Sequence, residues 1–220
     1  MEPPEWVDDA HLLFFYCTTL ILRSQTNIHN LSSVLVKFNN DDIYLVLLNQ
    51  QKRVFVKKIY KEYFDFMKKS KSVYISSVDD NTKPEISYSP CIVDNEKNVY
   101  ILVSDLSKRT LSLVQGRNVS LMFIEPEDQC EELYVRIRLI FDCSTEQIDR
   151  QTEKWNKQIP VFLDKFGDII NILKSLSDFK MFCFSPINGT FVKGFGKAYT
   201  IEGGSLDHIS HISFSKGEKM

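Results

Sequence analysis

Arg136 and Arg138 stand two apart in ELYVRIRLIFDC, where alternating residues predict a strand. On one strand their side chains leave the same face, and two guanidiniums there make a fork for carboxylates or phosphates. The plainer reading is a solvated strand face neutralised by Glu131 and Glu132. Lys108 and Arg109 fall in the first turn of a helix that Ser104 or Asp105 caps and Gly116 ends. Cations there oppose the helix dipole, a placement that suits an anionic ligand docked on the free backbone N–H groups. An ordinary solvated helix start fits the same residues. His208 and His211, in HISH, are spaced i and i+3. On a helix they would share a face, and in an extended tail they would point to opposite sides. Neutral imidazole is the commonest metal ligand, whereas a histidine in a tail is more often simply solvated.

The glycines of FVKGFGKAYTIEGG invite a phosphate-loop reading, but the dinucleotide fingerprint needs a third glycine where Tyr199 stands. Gly194 and Gly196 read instead as a bend or a close backbone approach in a strand. No G-x-S-x-G, P-loop or H-E-x-x-H pattern occurs. Cys91, Cys143 and Cys183 fall in strand patterns as core residues. Any redox or group-transfer reactivity would therefore come from a bound cofactor.

These residues need a scaffold of strands. From residue 71 to 143, SVYISSV, Glu85 to Cys91, NVYILVS, NVSLMFIE and ELYVRIRLIFDC are joined by turns at Asp79–Thr82 and Asp94–Glu96, an antiparallel meander. Residues 144–178 read as helical: Ser144-x-x-Gln147 has the form of a capping box, Pro160 suits the start of a second helix, and Gly167-Asp168 punctuates the pattern. KMFCFSP and TFVKGFGKAYTIEG close the fold as strands, with 205–220 as a tail. Upstream, SSVLVKF, DDIYLVLLN and KRVFVKKIY are rich in β-branched and aromatic residues, so residues 1–69 read as a strand-rich segment with a short helix at 58–69. The expected class is α+β: an antiparallel split β-barrel, 70–220, with flanking helices and the segment 1–69 packed on it.

With 27 basic and 29 acidic residues among 220, the net charge of −2 gives no bulk attraction to nucleic acid or anionic membrane. Five scattered cysteines without a C-x-x-C pair argue against a disulfide framework and a zinc site. The apolar run Leu12–Leu22 is too short to span a bilayer, and MEPPEWVDD is the wrong opening for a secretory signal. The expectation is a cytoplasmic protein with no membrane insertion.

Several stretches together carry a resemblance. SVYISSVDDNTKPEISYSP resembles the opening hairpin of the FMN-binding split-barrel superfamily, which includes pyridoxamine 5′-phosphate oxidase, and VSDLSKRTLSLVQGRNVSLMFIE resembles its next strand–helix–strand. SYSP, VRIRL, NGTFVKGFGKAY and the insert 144–178 resemble one branch, the HugZ/HutZ haem-utilisation family, over residues 70 to 207. The resemblance implies a homodimer with cofactor sites at its interface, haem as cofactor and, in some members, oxidative haem degradation that releases iron, with reducing equivalents from an external electron donor. It implies haem contacts from Arg138, with Arg136 the near alternative, and adds Tyr88 of SYSP, Lys108 and Arg109 to the cofactor-binding set. It implies that His208 or His211 ligates the iron. Flavin-binding relatives carry an arginine where this chain reads SYSPC, so haem is favoured over the alternative, FMN. A non-catalytic haem carrier is the other alternative.

Overall fold

The computed structural model describes residues 42–79, 81–107, 110, 113 and 119–212. The chain divides into two units, 1–49 and 50–220. Of the first, only 42–49 is described, as the opening of helix α1 (Asp42–Lys69). That helix replaces two of the expected strands, DDIYLVLLN and KRVFVKKIY; SSVLVKF lies outside the described residues. Local β propensity loses here to periodicity. Ile59, Tyr63 and Met67 recur every four residues and are buried, with Val56, Tyr60, Phe64 and Phe66 packed beside them. No glycine or proline interrupts residues 42–69, and Lys68 and Lys69 sit favourably at the C-terminal end of the dipole.

The barrel follows, as the alternation predicts. Its strands are β1 (Ser72–Val78), β2 (Pro84–Val93), β3 (Val99–Ser104), β4 (Val119–Ile124), β5 (Arg138–Ile148) and β6 (Phe179–Val192). All pairings are antiparallel, in the order β3-β2-β1-β4-β5-β6, and β3 pairs with β6 to close the ring. Asp79 makes the first turn, its carboxylate accepting from the N–H groups of Asn81 and Lys83. One edge of the long strand β6 pairs with β5 from Met181 to Val192. The other pairs with β3 through Phe184 and, from Gly189, with β7 (Ala198–Glu202). The strand thus leaves the closed ring half-way along. Inward residues, among them Ile75, Ile101, Leu121, Phe141, Phe184 and Phe191, form one continuous core with α1.

Two expectations for 144–178 are corrected. Ser144 and Gln147 do not cap a helix; both lie in β5, opposite Ser185 and Phe182. The long partner strand β6 satisfies their backbone groups, so the chain stays extended to Ile148. Helix α2 (Glu153–Phe166) starts later, after Thr152, whose hydroxyl accepts from the Trp155 N–H at 3.2 Å. Pro160 lies inside α2 rather than opening a second helix. The lost backbone bond is outweighed by burial of Trp155, Ile159 and Phe162 against Ile92, Tyr100, Leu102, Ile148 and Met181, a second core outside the barrel. Gly167 ends α2 at φ +76° before the short helix α3 (Ile169–Leu173).

The end of the chain also differs from expectation. FVKGFGKAYTIEG is a hairpin rather than one strand: β6 stops at Val192, and Gly194 and Gly196 take positive φ in the turn to β7. His208 to His211 are not tail but strand β8 (His208–His211), paired with β7 at the sheet edge. The tail residues 213–220 lie outside the described residues.

Candidate functional site

The register brings an unusual set of side chains to the outer face of the barrel. Tyr88, Tyr74, Met122 and Ile140 are direct neighbours across β2, β1, β4 and β5. Cross-strand partners share a face, and this one points away from the core. Tyr74 is 41% exposed, Tyr88 61% and Ile140 38%, and the two tyrosine rings meet edge to face at 6.1 Å. Ile124 and Arg138 form the next row on one side. Ile86, Ser76, Ser120 and Asp142 form the row on the other. A groove of about 470 Å³ opens along that polar row, reaching Val78, Cys143 and Ile187. Within it the Ser120 hydroxyl donates to Asp142 at 2.7 Å. The ladder slips between Asp142 and Cys143, and this bulge lies at the groove.

The two arginines part company. A 3-10 turn, Leu133–Val135, breaks the alternation before the strand begins, so Arg136 caps the turn and only Arg138 belongs to β5. Arg136 donates from Nε to the Glu125 carbonyl at 3.0 Å and from a terminal nitrogen to the Glu127 carboxylate at 3.0 Å. It fastens the 125–137 loop, and no two-arginine fork forms. Its acidic partner is Glu127 rather than Glu131 or Glu132; Glu132 instead accepts from the Tyr134 N–H. Arg138 is half-buried, and among the described residues no carboxylate or carbonyl accepts from its guanidinium. Lys108 and Arg109 lie outside the described residues.

The histidines are equally unlike one another. In β8 they point to opposite sides, with buried Ile209 between them. His211 lies edge-on to Tyr199 at 5.4 Å, and its Nε2 is 2.6 Å from the Gly196 carbonyl. His208 pairs with Glu202 across the ladder and has no side-chain hydrogen bond among the described residues. Within those residues no three His, Cys, Asp or Glu side chains converge on a metal position. The strand-buried thiols are poor nucleophiles: burial pushes Cys91 up to about 12, against the pull of the Lys165 ammonium, and raises Cys143 and Cys183 as well.

The sequence reading missed Tyr74, Met122 and Ile140. A signal for them exists: each is large and apolar at the outward parity of its strand, where a solvated face would carry polar residues.

No family model matches the chain. Heme oxygenase HutZ of Vibrio cholerae is 34% identical over 155 residues, 70% of this chain and 88% of HutZ. The chain belongs to the HutZ family. The crystal structure of HutZ from Vibrio cholerae, there described as a heme storage protein, covers 60% of this chain and 93% of its own at a TM-score of 0.57 and 32% identity. Campylobacter jejuni ChuZ shares the fold, with a TM-score of 0.66 at 24% identity over 84% of this chain and 76% of its own. The resemblance to the HutZ family that VRIRL and NGTFVKGFGKAY suggested is thereby borne out. No described helix is long and apolar enough to cross a membrane.

Proposed function

We infer that this chain is a haem-binding protein of haem utilisation, that two copies enclose the haem against the outer barrel face, and that it opens the ring oxidatively to release iron. One observation carries the reading: the apolar row Tyr88–Tyr74–Met122–Ile140 beside a half-buried Arg138, in a chain 34% identical to heme oxygenase HutZ. Three inter-strand steps make that row about 14 Å wide, a breadth that accepts a flat macrocycle. Tyr74 and Tyr88 offer ring faces and hydroxyls, and Arg138 stands ready to accept a propionate. Lys108 and Arg109 remain candidates for the second propionate. Exposed apolar surface on this scale calls for a cover, and a second copy of the chain supplies one.

Bound haem would supply oxygen activation at its iron, with electrons from an external donor. The chain's share is orientation, charge and exclusion of water. Arg138 fixes the propionate edge. The apolar row keeps the macrocycle dry on one side, while Ser76, Ser120 and Asp142 line a polar groove on the other. His208, whose ring nitrogens have no hydrogen-bond partner among the described residues, is the histidine we favour as iron ligand; His211 is held through Nε2 on the Gly196 carbonyl, which leaves only its Nδ1 for a metal. The free cysteines accord with a reducing cytoplasm.

The test is a titration of the purified chain with haem and with FMN, followed by reductant. A Soret band that gives way to a bilin spectrum supports the oxygenase. A stable Soret band supports the storage role by which HutZ has also been described. Flavin retention without haem uptake overturns both. Light scattering that returns a monomer with bound haem overturns the two-copy enclosure.

A further inference from the structure

The second unit spends unusual effort on one turn. Between β7 and β8 the chain reverses through Gly203 and Leu206, both at positive φ. Two side chains from distant parts of the sequence reach in to hold its carbonyls. The Tyr63 hydroxyl, from α1, donates to Leu206 O at 2.7 Å, across 143 positions in sequence. The Lys97 ammonium, from the β2–β3 turn, donates to Ser205 O at 2.7 Å and lies 5.1 Å from the Tyr60 ring centroid. Tyr63 is fully buried and Lys97 nearly so. A buried lysine given up to one backbone carbonyl is an expensive way to fix a surface turn.

The same helix also grips the other end of the hairpin. Glu62, next to Tyr63, pairs with Lys193 at the β6–β7 turn. Phe55 packs on Tyr199 at 5.8 Å, and Tyr199 meets His211 at 5.4 Å. His211 then closes back on Gly196, and the Ile212 N–H donates to Ala198 O at 2.8 Å. Strand β7 is thus fixed at both ends, and β8 hangs from it. His208 lies two residues beyond the clamped Leu206 carbonyl.

We propose that Tyr63 and Lys97 are positioning residues: through the Ser205 and Leu206 carbonyls, α1 and the β2–β3 turn set where strand β8, and with it His208, stands. His211 acts as a fastener at the far end of the strand. The placement of β8 stands on the geometry alone; its consequence for haem rests on the function proposed above.

Tyr63→Phe keeps the buried ring and removes only the donor. Lys97→Met keeps the side-chain length and removes the charge without asking a new residue type to solve the turn's packing. Amide hydrogen exchange on the ligand-free chain reads the strand directly. The expected result is lost protection confined to His208, Ser210 and Ile212, whose N–H groups face β7, with the β1–β6 amides unchanged, and the double variant more exposed than either single one. With haem, each variant should release it about fivefold faster, the factor that one net hydrogen bond represents, and shift the Soret band toward that of His208→Ala. Protection in β8 equal to the parent, or lost evenly across the barrel, overturns the proposal, the second because it marks a general packing role. If the parent takes up no haem, the haem reading fails, and the exchange pattern still decides whether the clamp exists.

Discussion

Replacing Gly189 by alanine should destabilise the barrel by about 3 kcal/mol, although Gly→Ala inside a strand normally helps. Gly189 does not sit in left-handed backbone; space alone demands it. A Cβ there would fall 2.4 Å from the Ile140 carbonyl oxygen and 2.4 Å from Phe141 Cδ1, with Cε1 at 2.8 Å. Ordinary contact is about 3.5 Å, so the neighbours must yield by roughly 1 Å. Neither can move cheaply. Ile140 lies in the β4–β5–β6 ladder, opposite Met122 and Thr190. Phe141 is fully buried and edge-on to Tyr63 at 6.2 Å. Forced overpacking of this kind costs about 1–3 kcal/mol, and the upper end applies because one clash is with backbone. At about 2–4 °C per kcal/mol for a unit of this size, Tm should fall by roughly 6–12 °C. Thermal melts and urea titrations with an unchanged m-value are the assay. Gly204→Ala is the control, since nothing lies within 4 Å of its Cβ position. If Gly189→Ala melts within about 2 °C of the parent, the close approach of β5 and β6 is not as tight as the geometry requires, and the reasoning fails.

Arg136→Met and Arg138→Met should separate structure from binding. The first loses the ties to Glu125 and Glu127 and should lower unfolding free energy by about 1–2 kcal/mol. The second should stay within about 0.5 kcal/mol while weakening haem uptake roughly tenfold; equal melting losses in both would contradict the split. Stability should also fall in alkali. Cys91 is held at about 12 against an ordinary 9.0, so its contribution is complete below pH 9 and is lost as pH rises toward 12. Each such thiol adds a slope of up to about 1.4 kcal/mol per pH unit, and buried Cys143 and Cys183 act in the same direction. A flat denaturation free energy from pH 9 to 11 would speak against it. Thr152→Ala should cost about 1 kcal/mol through loss of the α2 cap; circular dichroism melts that match the parent would place the cap elsewhere.

The barrel was legible because its strands alternate cleanly and its turns use Asp79 and Asp94 in their ordinary roles. The errors share one cause: a local signal was outvoted by a distant partner. KRVFVKKIY has the residues of a strand, yet Ile59, Tyr63 and Met67 find a core only on a helical period. Ser144-x-x-Gln147 has the form of a cap, yet β6 is long enough to hold those residues extended. For the site, Tyr88 and Arg138 were visible as types, but their adjacency to Tyr74, Met122 and Ile140 exists only in the register of β2, β1, β4 and β5. Arg136 and Arg138 looked equivalent because a 3-10 turn of three residues carries little sequence signal.

The histidines show most clearly what register adds. Side chains alternate with period two, so a slip of one residue in β8 would turn His208 and His211 each to the opposite face and take His211 off Tyr199. Ile209 prevents that slip. It is buried opposite Ile201, itself fully buried, and moving it to the outer face would forfeit roughly 2 kcal/mol of apolar burial. The held carbonyls of Ser205 and Leu206 oppose the same slip from the turn, and the His211–Gly196 contact opposes it from the free end. One apolar residue and three polar contacts therefore make two chemically identical side chains unequal, one bound to the hairpin through Nε2 and the other without a hydrogen-bond partner among the described residues.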